Sequence, residues 1–250
     1  MKTTRTDDMN WQDIQTAIQD GYYTILIAVG SIEQHGPHLP TKTDSLIGDV
    51  LVQKITEKID KTLQGPTIRI ACSKHHLGFP GTITLQKSTF KAVIRDYVKS
   101  LSKHGFTNII FIPSHGGNFA PLKEVIDELQ NQYTSVNING YTDLYEFVDI
   151  LLEYSVTEGI KPEEAGAHAG ENESSLMLAL ANDLVIKERF APGFVGKFGQ
   201  KEGEMVFEKG IKALTQNGIL GDPVKATAEK GHKYMEKLVD FLVAKVKEMI

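Results

Sequence analysis

Apolar residues in this chain follow two alternating patterns. Thr24 to Gly30 (TILIAVG), Thr67 to Ser73 (TIRIACS), Thr107 to Pro113 (TNIIFIP) and Ser135 to Tyr141 (SVNINGY) are short runs rich in branched residues. Such runs read as strands buried on both faces. Between them lie amphipathic stretches, roughly Ser45 to Lys61, Ser88 to His104 and Pro121 to Tyr133, and another runs from about Ala226 to the terminus. In the second, Phe90, Val93, Ile94, Tyr97 and Leu101 recur at helical spacing; Met235, Leu238, Val239, Leu242 and Val243 form the stripe of the last. The alternation predicts an α/β fold, a mostly parallel sheet with helices on both faces. Ligands of such sheets gather at the carboxyl ends of the strands, so the loops there are the places to look for chemistry.

No repeat, low-complexity tract or linker divides the sequence, so a single domain over residues 1–250 is expected. Hydrophobic residues at 41% and charged ones at 24% are ordinary globular usage. The longest apolar run, Ile25 to Gly30, is too short to span a bilayer, and MKTTRTDDMN has no apolar stretch behind its charges to make a signal peptide. A net charge of −5 with scattered lysines leaves no basic footprint for nucleic acid. Cys72 is the sole cysteine, which excludes an internal disulfide and a cysteine-based zinc knuckle. The expectation is a cytoplasmic protein that acts on a small molecule, without membrane or nucleic-acid partners.

Four segments carry unusual chemistry. SIEQHGPHLPTKTD follows the first strand; in extended backbone Glu33 and His35 point the same way, and the Pro-rich turn can return Asp44 beside them. Carboxylate plus imidazole is a common donor set for Zn, Mn or Fe, although Asp44 taken alone reads as a helix cap. PSHGGN ends the third run: His115 is a candidate ligand, Gly116 and Gly117 permit close backbone approach, and Asn118 either contacts substrate or fixes the loop. Ser114 and His115 are adjacent and face opposite ways, which argues against a nucleophile–base pair. AGAHAGENESS places His168, Glu171 and Glu173 before an apolar helical run, where the helix dipole alone accounts for one of the acids. In SKHHLGFPGT, His75 and His76 are neighbours, so only one is expected to face a site; His76 is taken as a substrate contact. His38, His104 and His232 read as surface or structural histidines.

In order, EQHGPHLPTKTD, HHLGFPGTITL, PSHGGN and HAGENESS resemble the motifs of the creatininase (creatinine amidohydrolase) family, and GILGDPVKATAEKG (Gly218 to Gly231) resembles its closing motif. The resemblance covers about Thr24 to Gly231. It implies a three-layer αβα sandwich, a divalent metal centre of two ions (Zn, Mn or Fe), and a homo-oligomer, a hexamer in the family. It carries ligand roles onto Glu33, His35, Asp44 (bridging), His115 and Glu173, and a catalytic role onto His168, with Glu173 counted in both sets. His76, Gly116, Gly117 and Asn118 are the expected substrate contacts. Gly117 stands where creatininase itself has a glutamate ligand, and Trp11 is the sole tryptophan, where creatininase covers its substrate with tryptophans. Both departures argue against creatinine. The expected reaction is hydrolysis of a C–N bond in a cyclic amide or formamide; alternatives are a cyclic keto-sugar, a short peptide, or a non-catalytic metal-binding role.

Overall fold

The computed structural model describes residues 3–250; Met1 and Lys2, the start of the charged N-terminal stretch, lie outside it. Four strands, β1 (Thr24–Val29), β2 (Thr62–Gln64), β3 (Asn108–Pro113) and β4 (Asn137–Gly140), form one parallel sheet in the order β2-β1-β3-β4. All six residues of β1 are buried, as its unbroken apolar run requires. Alternation along the strands sorts their side chains between two cores. Leu26, Ala28, Ile110 and Ile112 face α2 (Thr43–Thr56), α7 (Glu171–Ala181) and α9 (Ala228–Met249). Ile25, Ile27, Val29, Ile109 and Phe111 face α3 (Lys87–His104) and α4 (Phe119–Gln130), with α1 (Trp11–Gln19) at the edge. Helix, sheet, helix: the expected three layers are present. At about 1.5–3 kcal/mol for each fully buried branched or aromatic side chain, these two faces dominate the stability.

Two expectations are corrected. Thr67 to Ser73 is not a strand: β2 lies earlier, and from the predicted run only Ile68 bridges Val29. Gly65 N–H bonds Leu26 O (2.8 Å) and the next bond to β1 is Ile68 N–H on Ala28 O (2.9 Å), three residues along one chain against two along the other, so one extra residue on this edge interrupts the ladder. Helix α2 stops at Thr56 rather than Lys61, because the chain turns there into β2, with Lys61 at a left-handed φ of 53°. Four further helices were not anticipated: α1, α5 (Leu144–Thr157), α6 (Pro162–Ala165) and α8 (Gln200–Lys209). Among the described residues no helix is long and apolar enough to cross a membrane.

The strand order places the functional loops. From β1 the chain moves outward to β2, then returns past β1 to β3 and on to β4. The connections therefore diverge between β1 and β3, and the crevice beyond their carboxyl ends is where such a sheet binds ligands. Glu33 and His35 follow β1 directly, and His115 follows β3.

Candidate metal centre

After β1 the chain makes a tight loop, with Glu33 N–H on Thr41 O (2.9 Å) and a bridge between His35 and Leu39. This returns Thr43 and Asp44 to the crevice as the first turn of α2. The cap position of α2 is Lys42, so Asp44 is no cap; its carboxylate turns to the histidines instead. Asp44 Oδ1 lies 3.0 Å from His35 Nε2, and Oδ2 lies 3.2 Å from His115 Nδ1. Glu33 Oε2 is 3.2 Å from His115 Nε2, and Oε1 is 3.3 Å from His76 Nε2 and 3.7 Å from His168 Nδ1. Glu173, in the first turn of α7, reaches within 3.9 Å of His35 Nε2 and accepts from the Ala169 N–H. Ala169 turns that N–H inward through a left-handed φ of 53°, a strained setting for a residue with a Cβ.

Glu33, His35, Asp44, His76, His115 and His168 are all buried, and Glu173 is partly so. Burial opposes their charges, yet neighbours overrule it for several. His115 and His76 hold the Glu33 carboxyl well below the usual carboxylate range, and His35 with His115 does the same for Asp44. In return, Asp44, Glu173 and Glu33 overcome the desolvation of His35 and push it to about 10. For Glu173 burial prevails: with Asp44 and Glu33 adding repulsion it outweighs the relief from His35 and the Ala169 N–H and raises the carboxyl to about 7. His168 goes the other way, held well below its ordinary value by burial and by His35, and is therefore neutral.

This donor set fits a cation. Glu33 Oε1 and Asp44 Oδ2 are buried and accept no hydrogen bond, although imidazoles stand near them. Such orphaned carboxylate oxygens are costly unless something positive meets them. Three overlapping groups, Glu33–His35–Asp44, His35–His168–Glu173 and Glu33–His76–His168, each present ligand atoms within 4.8 Å of one another.

The supporting residues were less visible. Gln34 is buried, and its amide donates to His76 Nδ1 (2.9 Å) and Gly218 O (3.1 Å), while its backbone carbonyl accepts from His168 Nε2 (2.8 Å). Those bonds leave His168 Nδ1 as the nitrogen facing the cluster. Ser31 donates to Glu33 Oε2 (2.9 Å) and is itself bonded to Ser73. The one signal for Gln34 was its position between two candidate ligands, which a strand-like reading of the loop turns to the wrong side.

Some expected contacts are corrected. Asn118 is fully buried and does not border the cavity beside the cluster; it accepts from Cys72 N–H (3.0 Å) and donates to Val29 O (3.1 Å) and Gly30 O (2.9 Å). Of its two reading alternatives, fixing the loop is the one observed. Gly117 is likewise outside the cavity wall, packed so closely that a Cβ would stand 2.6 Å from His115 Nε2 and collide with Cys72 O. No ligand side chain fits at that position. Gly116 and His76 do border the cavity, and so does His75, against the expectation that only one of the pair would. They sit on a 3-10 turn (Lys74–His76), where neighbours diverge by about 120° rather than the 180° of a strand. His38 is buried on Ser174 Oγ (2.9 Å), a structural role, while His104 and His232 are at the surface.

The sequence profile of creatininase, described as creatinine amidohydrolase, matches residues 7–246. The chain belongs to the creatininase family. A mycofactocin precursor peptide peptidase from Mycolicibacterium smegmatis is 29% identical over 229 residues, 89% of this chain and 84% of that one. A mutant creatininase of Zn–Zn type has the same fold, with a TM-score of 0.83 at 24% identity, and a Mn creatininase gives 0.82 at 23%; each comparison covers 99% of this chain and 98% of the other. Membership of the creatininase family, together with the clustered donors, makes this protein a metal-dependent hydrolase.

Proposed function

We propose that the protein is an amidohydrolase that cleaves the C–N bond of a small cyclic amide or formamide, with two divalent ions held by Glu33, His35, Asp44, His115 and Glu173. The observation that carries this reading is the convergence of three carboxylates, two with unpaired buried oxygens, on histidines that border a cavity. Zn, Mn or Fe suits the mixed carboxylate and imidazole set, and Asp44, whose two oxygens face His35 and His115, would hold the ions together with them. Glu173 supplies from α7 the carboxylate that Gly117 cannot. When bound, the metal lowers the pKa of water towards about 7 and polarises the carbonyl.

The chain's own residues handle the protons. His168 is neutral, and its Nε2–H is engaged by the Gln34 carbonyl, so Nδ1 is free to take a proton from the attacking water. The same atom returns that proton to the departing nitrogen, a contribution typically of ~10²–10⁴ in rate. His76, steadied by the Gln34 amide, directs Nε2 at Glu33 and keeps that carboxylate in place.

The test is Asp44→Ala, followed by elemental analysis and by turnover of creatinine, formamides, dipeptides and cyclic ketones. Loss of metal and of all turnover is expected; a variant with full metal and full activity would sink the assignment. A second reading, hydrolysis of a short peptide, is favoured by the 29% identity to the mycofactocin precursor peptide peptidase. Faster turnover of dipeptides than of formamides would select it.

A further inference from the structure

The cavity beside the cluster has a second wall that takes no part in the proton transfers. About 130 Å³ in volume, it meets the cluster at His76, His115 and His168. The facing wall is made by Phe147, Val148 and Leu151 of α5 and by Phe198, Val206 and Phe207 on and just before α8. Among the described residues bordering it there is no lysine and no arginine, and the acids are Asp44 and Glu173 of the cluster itself. Phe207 lies at the mouth, 52% exposed despite its size, with its ring centroid 4.7 Å from that of His75. His75 stacks in turn on His115, at 5.4 Å and 10°. An apolar surface thus runs from solvent to the donors.

From this wall we infer the substrate class: a neutral amide carrying, next to its scissile bond, one uncharged apolar group the size of a branched aliphatic or benzyl substituent. The inference rests on the hydrolase reading above. Size follows from volume, since an apolar cavity of about 150 Å³ accepts benzene. Charge follows from the lining: a phosphate or carboxylate on that group would lose its water and meet no cationic partner. The step is plain hydrolysis; water adds its oxygen to the acyl carbon, the C–N bond breaks, and the released amine carries the second proton. No oxidant or further reactant enters.

The experiment uses the full chain loaded with Zn²⁺ or Mn²⁺. kcat/KM is measured for amides bearing methyl, isobutyl or benzyl on the acyl side, for a matched series on the amine side, and for a phosphorylated benzyl compound. In one of the two series benzyl or isobutyl should exceed methyl by about 100-fold or more, because each methylene in an apolar pocket contributes roughly 10-fold or more. The phosphorylated compound should fall to the methyl level or below. In Phe207→Ala, which changes an exposed residue and should fold, and in Phe147→Ala, that ratio should drop at least about tenfold with metal content retained. Ratios within about threefold of one in both series, or phosphorylated substrate preferred, would overturn the inference while leaving the hydrolase intact. Turnover of no amide at all by the metal-loaded protein would overturn the hydrolase reading itself.

Discussion

Replacing Asn118 with alanine should weaken the protein and its metal centre together. Its amide is fully buried and ties three chain segments: the end of β1 through Val29 O and Gly30 O, the approach to His75 and His76 through Cys72 N–H, and the loop after His115 on which it stands. Each bond is worth about 1 kcal/mol net, so alanine should cost about 3 kcal/mol, with more if the buried carbonyls stay unpaired. Against a total stability of about 5–15 kcal/mol that is a large fraction. With a urea m-value near 3 kcal/mol/M the unfolding midpoint should fall by about 1 M at constant m. Asn118→Asp sharpens the test, because it keeps the acceptor for Cys72 N–H but turns an anion on two carbonyls; it should be at least as damaging as alanine. Metal affinity, measured by competition with a chelating dye, should fall about 10–100-fold as for other residues that orient ligands. An alanine variant within about 1 kcal/mol of the parent, or an aspartate variant of parental stability, would refute the reasoning.

The remaining predictions concern charge, packing and the ion. In chelated protein, His35 is raised to about 10, so its contribution to stability is complete below its unfolded value near 6.5 and is lost as pH climbs through 10. The urea midpoint of that protein should therefore decline from about pH 7.5 to 10, a window chosen because the depressed His76 and His168 act in the opposite sense only below it; a flat or rising midpoint would contradict this. Gly231→Ala would place a Cβ against the Ser175 carbonyl and 2.9 Å from Ala179 Cβ, where α9 crosses α7. Overpacking there should cost about 1–3 kcal/mol, outweighing the roughly 1 kcal/mol that alanine gains in helix propensity, and a raised Tm would show the packing argument wrong. Removing metal should lower Tm by on the order of 10 °C if ions stand near a thousandfold above Kd, since that occupancy contributes about 4 kcal/mol. An unchanged Tm on chelation would mean that little ion is held.

Much of this architecture was legible from periodicity. The runs at β1 and β3 and the stripes of α3 and α9 carry strong, unbroken signals because each faces a core along its whole length. The Thr67 to Ser73 run misled because one extra residue between Gly65 and Ile68 breaks the pairing with β1 where the run begins, a local interruption that apolar content does not reveal. Helix α5 escaped notice since none of its apolar residues is fully buried; they are shared between the cavity and the margin of the core. At the site, Glu33, His35, Asp44, His115, His168 and Glu173 announced themselves as acids and histidines at strand ends and helix starts, and the structure brings them together. Gln34 and Asn118 were harder to read, because an amide has as many uses for backbone as for ligand, and only the three-dimensional partners decide.

The elements that hold the candidate donors are not those that form the apolar wall. Glu33, His35, Asp44, His115 and Glu173 hang on the loops after β1 and β3 and on the first turns of α2 and α7, which are anchored in the two cores. The wall comes from α5, α8 and the segment before α8, which lend no donor. A mutation that reshapes the wall therefore leaves the donors where they are, and a lineage can exchange one substrate for another without passing through a dead enzyme. Selection can treat the reactive end of the cavity as fixed equipment and the opposite end as an interchangeable fitting.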